Sequence, residues 1–138
     1  MGLSLAQLIS LEVKDDARGG LMVAQIGAGL PFVVRRVYWL HGTKPGVARG
    51  FHAHKKLRQV CVCLAGSVRV ILFDGQREES VVLKPNHEAL YLEPGLWREM
   101  HDFSPDCIFM VFADAEYDEA DYIRDRQEFI RYRQGGQG

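Results

Sequence analysis

Turn signals recur at short, even intervals along this chain, and that punctuation constrains the fold more than any other feature. DDARGGL (15–21), IGAGLP (26–31), GTKPG (42–46), AGS (65–67), DGQ (74–76), KPNH (84–87) and EPG (93–95) separate short runs rich in Val, Ile, Leu and aromatic residues. Such spacing predicts an all-β sandwich or barrel. The clearest run is QVCVCLAGSVRVILFDGQREESVVL, in which Val60, Val62 and Leu64 alternate with Cys61 and Cys63, and Val68, Val70 and Leu72 with Arg69, Ile71 and Phe73. Both faces of these strands are largely apolar, as in the inner layers of a sandwich. Asp74-Gly75 signals a two-residue hairpin, glycine accepting the positive φ of a type I′ turn, and leads to a strand around Val81 to Leu83. The tail reads differently. YDEADYIRDRQEFIRYR predicts one α-helix over about 118–133, with Asp118 as N-cap, Tyr122, Ile123, Phe129 and Ile130 on one face, and QGGQG as terminator. A shorter helix is expected near LAQLIS.

The 138 residues contain no long Pro/Gly/Ser linker and no internal repeat, so a single domain over 1–138 is expected. The net charge of −1 leaves no excess of positive charge to drive binding to nucleic acid or anionic lipid, although a local basic pocket for a small anion stays open. Cys61, Cys63 and Cys107 are odd in number, and the first two lie in an apolar run, so they read as small buried hydrophobes. No apolar segment approaches the ~18 residues of a membrane span, and the N-terminus lacks the basic start of a signal peptide. A cytoplasmic location is expected. The opening Met1-Gly2 does not read as a myristoylation signal, because Ala6 stands where that motif wants Ser or Thr.

RGFHAHKKLRQV (49–60) places His52 and His54 two positions apart, on one face of a strand. That spacing suits a metal site, a proton-transfer site or two ordinary hydrogen-bonded histidines. The first motif of the cupin barrel, G-x5-H-x-H-x(3,4)-E-x6-G, finds matches at Gly46, His52, His54 and Gly66, but Gln59 holds the glutamate position. A neutral amide oxygen is a poorer ligand for a divalent metal than a carboxylate. The second motif, G-x5-P-x-G-x2-H-x3-N, matches only at Pro94; Glu88, Leu96, Glu99 and Phe103 occupy its other positions. A metal would have to be held by His52 and His54 with Glu99 or His101, and the expectation is that none is bound. Without metal, a histidine pair suits proton transfer near neutral pH. Lys55, Lys56 and Arg58 are close in sequence and would help to keep the imidazoles neutral.

These residues, together with DARGGL, PFVVRRVYWL and YLEPGLWREMHDFSPDCIFMVFADAEYDEADYIRD, give a chain that resembles the dTDP-4-keto-6-deoxyglucose 3,4-ketoisomerases, the WxcM-like sugar isomerases. The likeness runs from about residue 12 to 130, and RGFHAHK, MHDFS and YDE.DYIR are its most specific parts. Arg98 departs from it, standing where such proteins commonly carry His. The resemblance implies a cupin jelly-roll β-barrel, or double-stranded β-helix, with one C-terminal helix. It implies an enzyme without cofactor or metal that converts a dTDP-4-keto-6-deoxyhexose to its 3-keto isomer through an enediolate, for deoxyamino-sugar biosynthesis. His54 is then the base at C3 and His52 the proton relay. The resemblance also implies a homodimer that exchanges N-terminal strands, consistent with the exposed-strand character of residues 21 to 40.

An enediolate requires a preorganised donor, and Tyr38 and Arg49 are the candidates. Arg36, Arg98 and Arg124 are candidates for the diphosphate, since arginine presents a fork of N–H donors. Trp97 or Tyr91 is expected to stack on the thymine, with His101 a further pocket candidate and Gln59 part of the substrate-binding set. Two other readings stand beside the isomerase: a metal-dependent cupin such as a dioxygenase, and a non-catalytic cupin that binds a sugar nucleotide.

Overall fold

Period-two alternation builds most of this chain, and the computed structural model describes residues 4–135 of it. The Met1-Gly2 opening lies outside those residues. In chain order the elements are β1 (Gln7–Ser10), β2 (Glu12–Asp16), β3 (Gly19–Val23), β4 (Gln25–Ile26), β5 (Gly29–Leu30), β6 (Arg36–Leu40), β7 (Arg49–His54), β8 (Gln59–Ala65), β9 (Val68–Phe73), β10 (Glu78–Leu83), β11 (Glu88–Leu92), β12 (Trp97–His101), β13 (Ile108–Ala113), a 3-10 turn (Glu119–Asp121), β14 (Tyr122–Ile123) and α1 (Arg126–Arg133). Two five-stranded sheets, ordered β1-β11-β8-β13-β6 and β10-β9-β12-β7-β14, form a jelly-roll sandwich of the cupin type. Their pairings are antiparallel throughout. Among the described residues no strand pairing joins the two sheets into a closed ring.

Cys61, Cys63, Phe109 and Val111 of the first sheet meet Val68, Val70 and Leu72 of the second in the main core. The opposite face of β8 is buried as well, Val60 and Val62 packing with Leu11, Leu30, Phe32 and Ala89. This double burial is why β8 is apolar on both faces. A third cluster, Ala53, Phe73, Trp97, Ile123 and Phe129, lies where α1 covers the second sheet. Burying Phe129 there contributes about 1.5–3 kcal/mol. Strand β6 lies at the edge of its sheet and turns Arg36, Tyr38 and Leu40 to the more buried side, leaving Val37 and Trp39 exposed. The three cysteines are free and buried. No helix among the described residues is long and apolar enough to cross a membrane.

Three expectations are corrected. LAQLIS contributes strand β1, not a helix, with Leu8 opposite Leu90, because so short a segment cannot carry helix nucleation when the β11 edge offers a ladder. The tail is not one helix over 118–133. Asp118 caps only the 3-10 turn, Tyr122 and Ile123 pair with His54 and Ala53, and Asp125 caps the shorter helix α1 by accepting the Glu128 N–H. The β9–β10 connection holds four residues, Asp74 to Arg77, because the Asp74 carboxylate accepts the N–H groups of both Gln76 and Arg77.

Candidate active site

Strand β7 passes through two successive left-handed residues, Gly50 (φ 98°) and Phe51 (φ 59°), before it reaches the histidines. A Cβ at Gly50 would stand 3.1 Å from the Arg98 carbonyl oxygen and 3.2 Å from Glu99 Cα, so only glycine fits. The β7–β12 register shifts at Arg98/Glu99, a bulge of the kind that re-aims side chains beside active sites. The strand then alternates, His52 and His54 pointing to the sandwich interior and Ala53 to the cluster under α1.

The two imidazoles meet edge to face, 4.9 Å between centroids, and the Tyr122 ring lies 5.0 Å from His52 and 4.3 Å from His54. His54 is fully buried, and its Nδ1 lies 3.1 Å from Asp121 Oδ2. The Asp121 carboxylate also accepts the N–H groups of Lys56 at 2.8 Å and Leu57 at 3.2 Å. A carboxylate only accepts, so Nδ1 carries the hydrogen and Nε2 keeps a free lone pair. Burial, and then the nearby Arg98 guanidinium, pull the His54 pKa down to about 2. The contact with Asp121 is therefore a hydrogen bond donated by a neutral ring, not an ion pair. Burial followed by Arg98 also lowers His52, to about 4. Its buried Nδ1 has no well-formed hydrogen bond, and the Gly50 backbone is only a partial counterweight. The main cationic influence is Arg98 rather than the expected Lys55, Lys56 or Arg58; the two lysines are exposed, and Arg58 pairs with Asp114 at 2.9 Å.

Gln59 shares the inward face of β8 with Cys61 and Cys63. Its Oε1 accepts from Arg98 Nη1 at 2.6 Å, and its Nε2 donates to the Tyr38 hydroxyl at 3.0 Å. Arg98 is 2% exposed and also donates through Nε and Nη2 to the Leu96 carbonyl. Burial pushes the Tyr38 phenol up to about 12, so it stays protonated. These donors do not fit the divalent metal of other cupins. The amide at the glutamate position is already engaged, a guanidinium charge acts on both imidazoles, and Glu99 and His101 lie on the opposite face of β12, bonded to each other at 2.9 Å. Among the described residues no group of three His, Cys, Asp or Glu is placed to hold an ion.

A cavity of about 310 Å³ opens on this arrangement, lined by Arg36, Tyr38, Arg49, His52, Tyr122 and Arg124 among others. His54 instead borders a smaller cavity of about 200 Å³ together with Asp121 and Tyr122. Of the residues singled out in the sequence, the larger cavity thus gathers Arg36, Tyr38, Arg49, His52 and Arg124, with Gln59 and Arg98 behind Tyr38. The structure does not bring in three others. Tyr91 packs in the cluster on the far face of β8, Trp97 lies under α1 with Nε1 donating to Glu99, and His101 is held by Glu99. Arg36 stacks over Tyr38 at 5.0 Å and keeps a buried Nε without a partner, and Arg124 lies over Tyr122 at 4.0 Å while bonding Glu119 through two nitrogens. Asp121 and Tyr122 were not singled out as site residues by the sequence. They lie in the YDE.DYIR segment, whose apparent helical pattern hid their pairing with β7.

Comparison with known proteins agrees with this fold. The family model described as FdtA: WxcM-like, C-terminal, matches residues 4–134. A curated relative from Aneurinibacillus thermoaerophilus, TDP-4-oxo-6-deoxy-alpha-D-glucose-3,4-oxoisomerase, is 50% identical over 126 residues, covering 91% of each chain. Among solved structures, a 3,4-ketoisomerase from Helicobacter canadensis is 36% identical with a TM-score of 0.90, covering 94% of this chain and 97% of its own. A histidine-to-asparagine mutant of the 3,4-ketoisomerase QdtA from Thermoanaerobacterium thermosaccharolyticum, in complex with TDP-4-keto-6-deoxyglucose, is 35% identical with a TM-score of 0.92, covering 97% of each chain.

Proposed function

The chain belongs to the FdtA family of WxcM-like, C-terminal proteins, and from that membership we propose a 3,4-ketoisomerase that converts a TDP-4-keto-6-deoxyhexose to its 3-keto isomer without a metal or cofactor. The observation that carries the reaction is the pair of neutral, touching imidazoles, one on the cavity wall across from Tyr38 and the other bonded to Asp121. His52 takes the C3 proton, and the C–H electron pair becomes the C3–C4 double bond as the C4 carbonyl oxygen gains negative charge. Tyr38 donates to that oxygen. The C3 hydroxyl proton passes to O4, and a proton returns to C4 through the imidazole pair, leaving a ketone at C3. The resemblance alone made His54 the base; its place behind His52, with Asp121 fixing its tautomer, supports the reverse order, with His54 as relay. Arg36, Arg49 and Arg124 suit the diphosphate, whereas Arg98 is sealed behind Gln59. The product's 3-keto group is a suitable acceptor for an amino group in making deoxyamino sugars.

The test is to incubate the protein with TDP-4-keto-6-deoxyglucose in D2O, with and without chelator, and follow the sugar by NMR. A 3-keto product formed at equal rates in both is expected. A rate abolished by chelation would overturn the metal-free course, and absence of product would overturn the isomerase.

The protein is further read as a single domain over 1–138 that works in the cytoplasm, where three free thiols suit a reducing compartment. It is also read as a homodimer exchanging N-terminal strands. Supporting this are the edge position of β6, its exposed Val37 and Trp39, and exposed Val13, Leu21 and Met22 on β2 and β3. Sedimentation of the purified protein is expected at twice the monomer mass; a monomer would overturn the dimer.

A further inference from the structure

Arg98 is a buried cation with no carboxylate at ion-pair distance among the described residues; its donors go to the Leu96 carbonyl and to Gln59. Burying a guanidinium this way is costly, and a neighbouring carboxylate would relieve the cost. The chain instead places an amide beside it. Arginine has donors only, so Gln59 must show it Oε1 and turn Nε2 toward Tyr38. The Tyr38 oxygen is thereby made an acceptor on its inner side. Its single proton has no partner among the hydrogen bonds of the described residues and is free for the cavity that Tyr38 shares with His52.

We propose that Gln59 and Arg98 are positioning residues that act through Tyr38: the buried charge, passed on by the Gln59 amide, orients and strengthens the Tyr38 hydroxyl as donor to the enediolate oxygen. This rests on the isomerase reading above. The oxyanion forms only after the C3 proton has left, so the arrangement acts on the transition state more than on bound substrate. The departure from the cupin glutamate acquires a chemical reason. A carboxylate at residue 59 would pair with Arg98 and accept the hydrogen bond of the Tyr38 O–H, turning the phenol away from the substrate.

Gln59→Glu tests this with almost no change of shape. The expected result is a fall in kcat of about 100-fold, with KM and the Kd for TDP within about threefold of the parent protein and no loss of Tm. In a Tyr38→Phe background, the same substitution is expected to cost less than about threefold more, since the group it acts through is gone. Should Gln59→Glu fold poorly, Gln59→Leu breaks the same chain of hydrogen bonds and is expected to show the same split between kcat and KM. A kcat within about threefold of the parent, a KM that rises as far as kcat falls, or a full additive loss in Tyr38→Phe would overturn the relay. Failure of the parent protein to turn over would instead overturn the isomerase reading.

Discussion

Asparagine in place of His52 is expected to lower kcat between about 10²- and 10⁴-fold while the Kd for TDP stays within about threefold. His52 is the imidazole on the wall of the larger cavity, so its loss removes the group proposed to take the C3 proton. The backbone that aims it, Gly50 and Phe51 with positive φ, is untouched by the substitution. Asparagine keeps polarity at the site but has no basic lone pair near neutral pH. The parent's pH profile gives an independent check. The folded protein lowers the His52 pKa from 6.5 to about 4, so the base stays neutral and kcat/KM is expected to remain flat from neutrality down to about pH 5. Stability follows the same group. The unfolded chain takes up the proton first, near 6.5, so the contribution from a neutral His52 is complete above that value and drains away as pH falls through about 4. A kcat/KM limb at the ordinary histidine value, or near-parental turnover in His52→Asn, would remove His52 from the proposed role.

The histidine strand β7 and strands β8 to β10 were legible because each buries at least one face, and burial of one face writes itself as alternation. The same rule placed His52 and His54 on a common face and left Gln59 in line with Cys61 and Cys63. The failures share a different cause. Tyr122, Ile123, Phe129 and Ile130 have helix-like spacing, yet the first two are held by the β7 edge and the last two by α1, two elements whose apolar positions happen to fall in phase. Residue type also misled where several burials suit the same side chain. Trp97 and Tyr91 are aromatic enough to stack on a base, but the inward face of β12 belongs to Arg98 and Met100, and Tyr91 faces the N-terminal cover of β8. Arg98 was the most informative departure in the sequence. Its neighbours Gln59 and Tyr38 come from two other strands, so nothing local could reveal what it does.

Asp121→Asn is expected to reduce kcat about 10²- to 10³-fold, with TDP binding preserved and a smaller loss of stability. The carboxylate has three donors to satisfy: His54 Nδ1–H and the N–H of Leu57 on Oδ2, and the N–H of Lys56 on Oδ1. An amide supplies one accepting oxygen and one donating nitrogen. If the oxygen stays with His54 and Leu57, the NH2 group confronts the Lys56 N–H, and the exposed loop after β7 loses a hydrogen bond worth about 1 kcal/mol or less. If the amide flips, the NH2 group faces His54 and drives it to the tautomer with hydrogen on Nε2, leaving the relay without its lone pair. The flipped arrangement, which is the one that relieves the clash at Lys56, disturbs proton return while His52, Tyr38 and the cavity arginines keep their places. The distinguishing readout is isotopic. In D2O the variant is expected to exchange C3 hydrogen with solvent faster than it forms 3-keto product, because removal at C3 depends on His52 and return at C4 on the His54–Asp121 side. Loss of both processes in equal measure would mean that Asp121 only holds the loop at Lys56 and Leu57, and His54 would lose its assignment as relay.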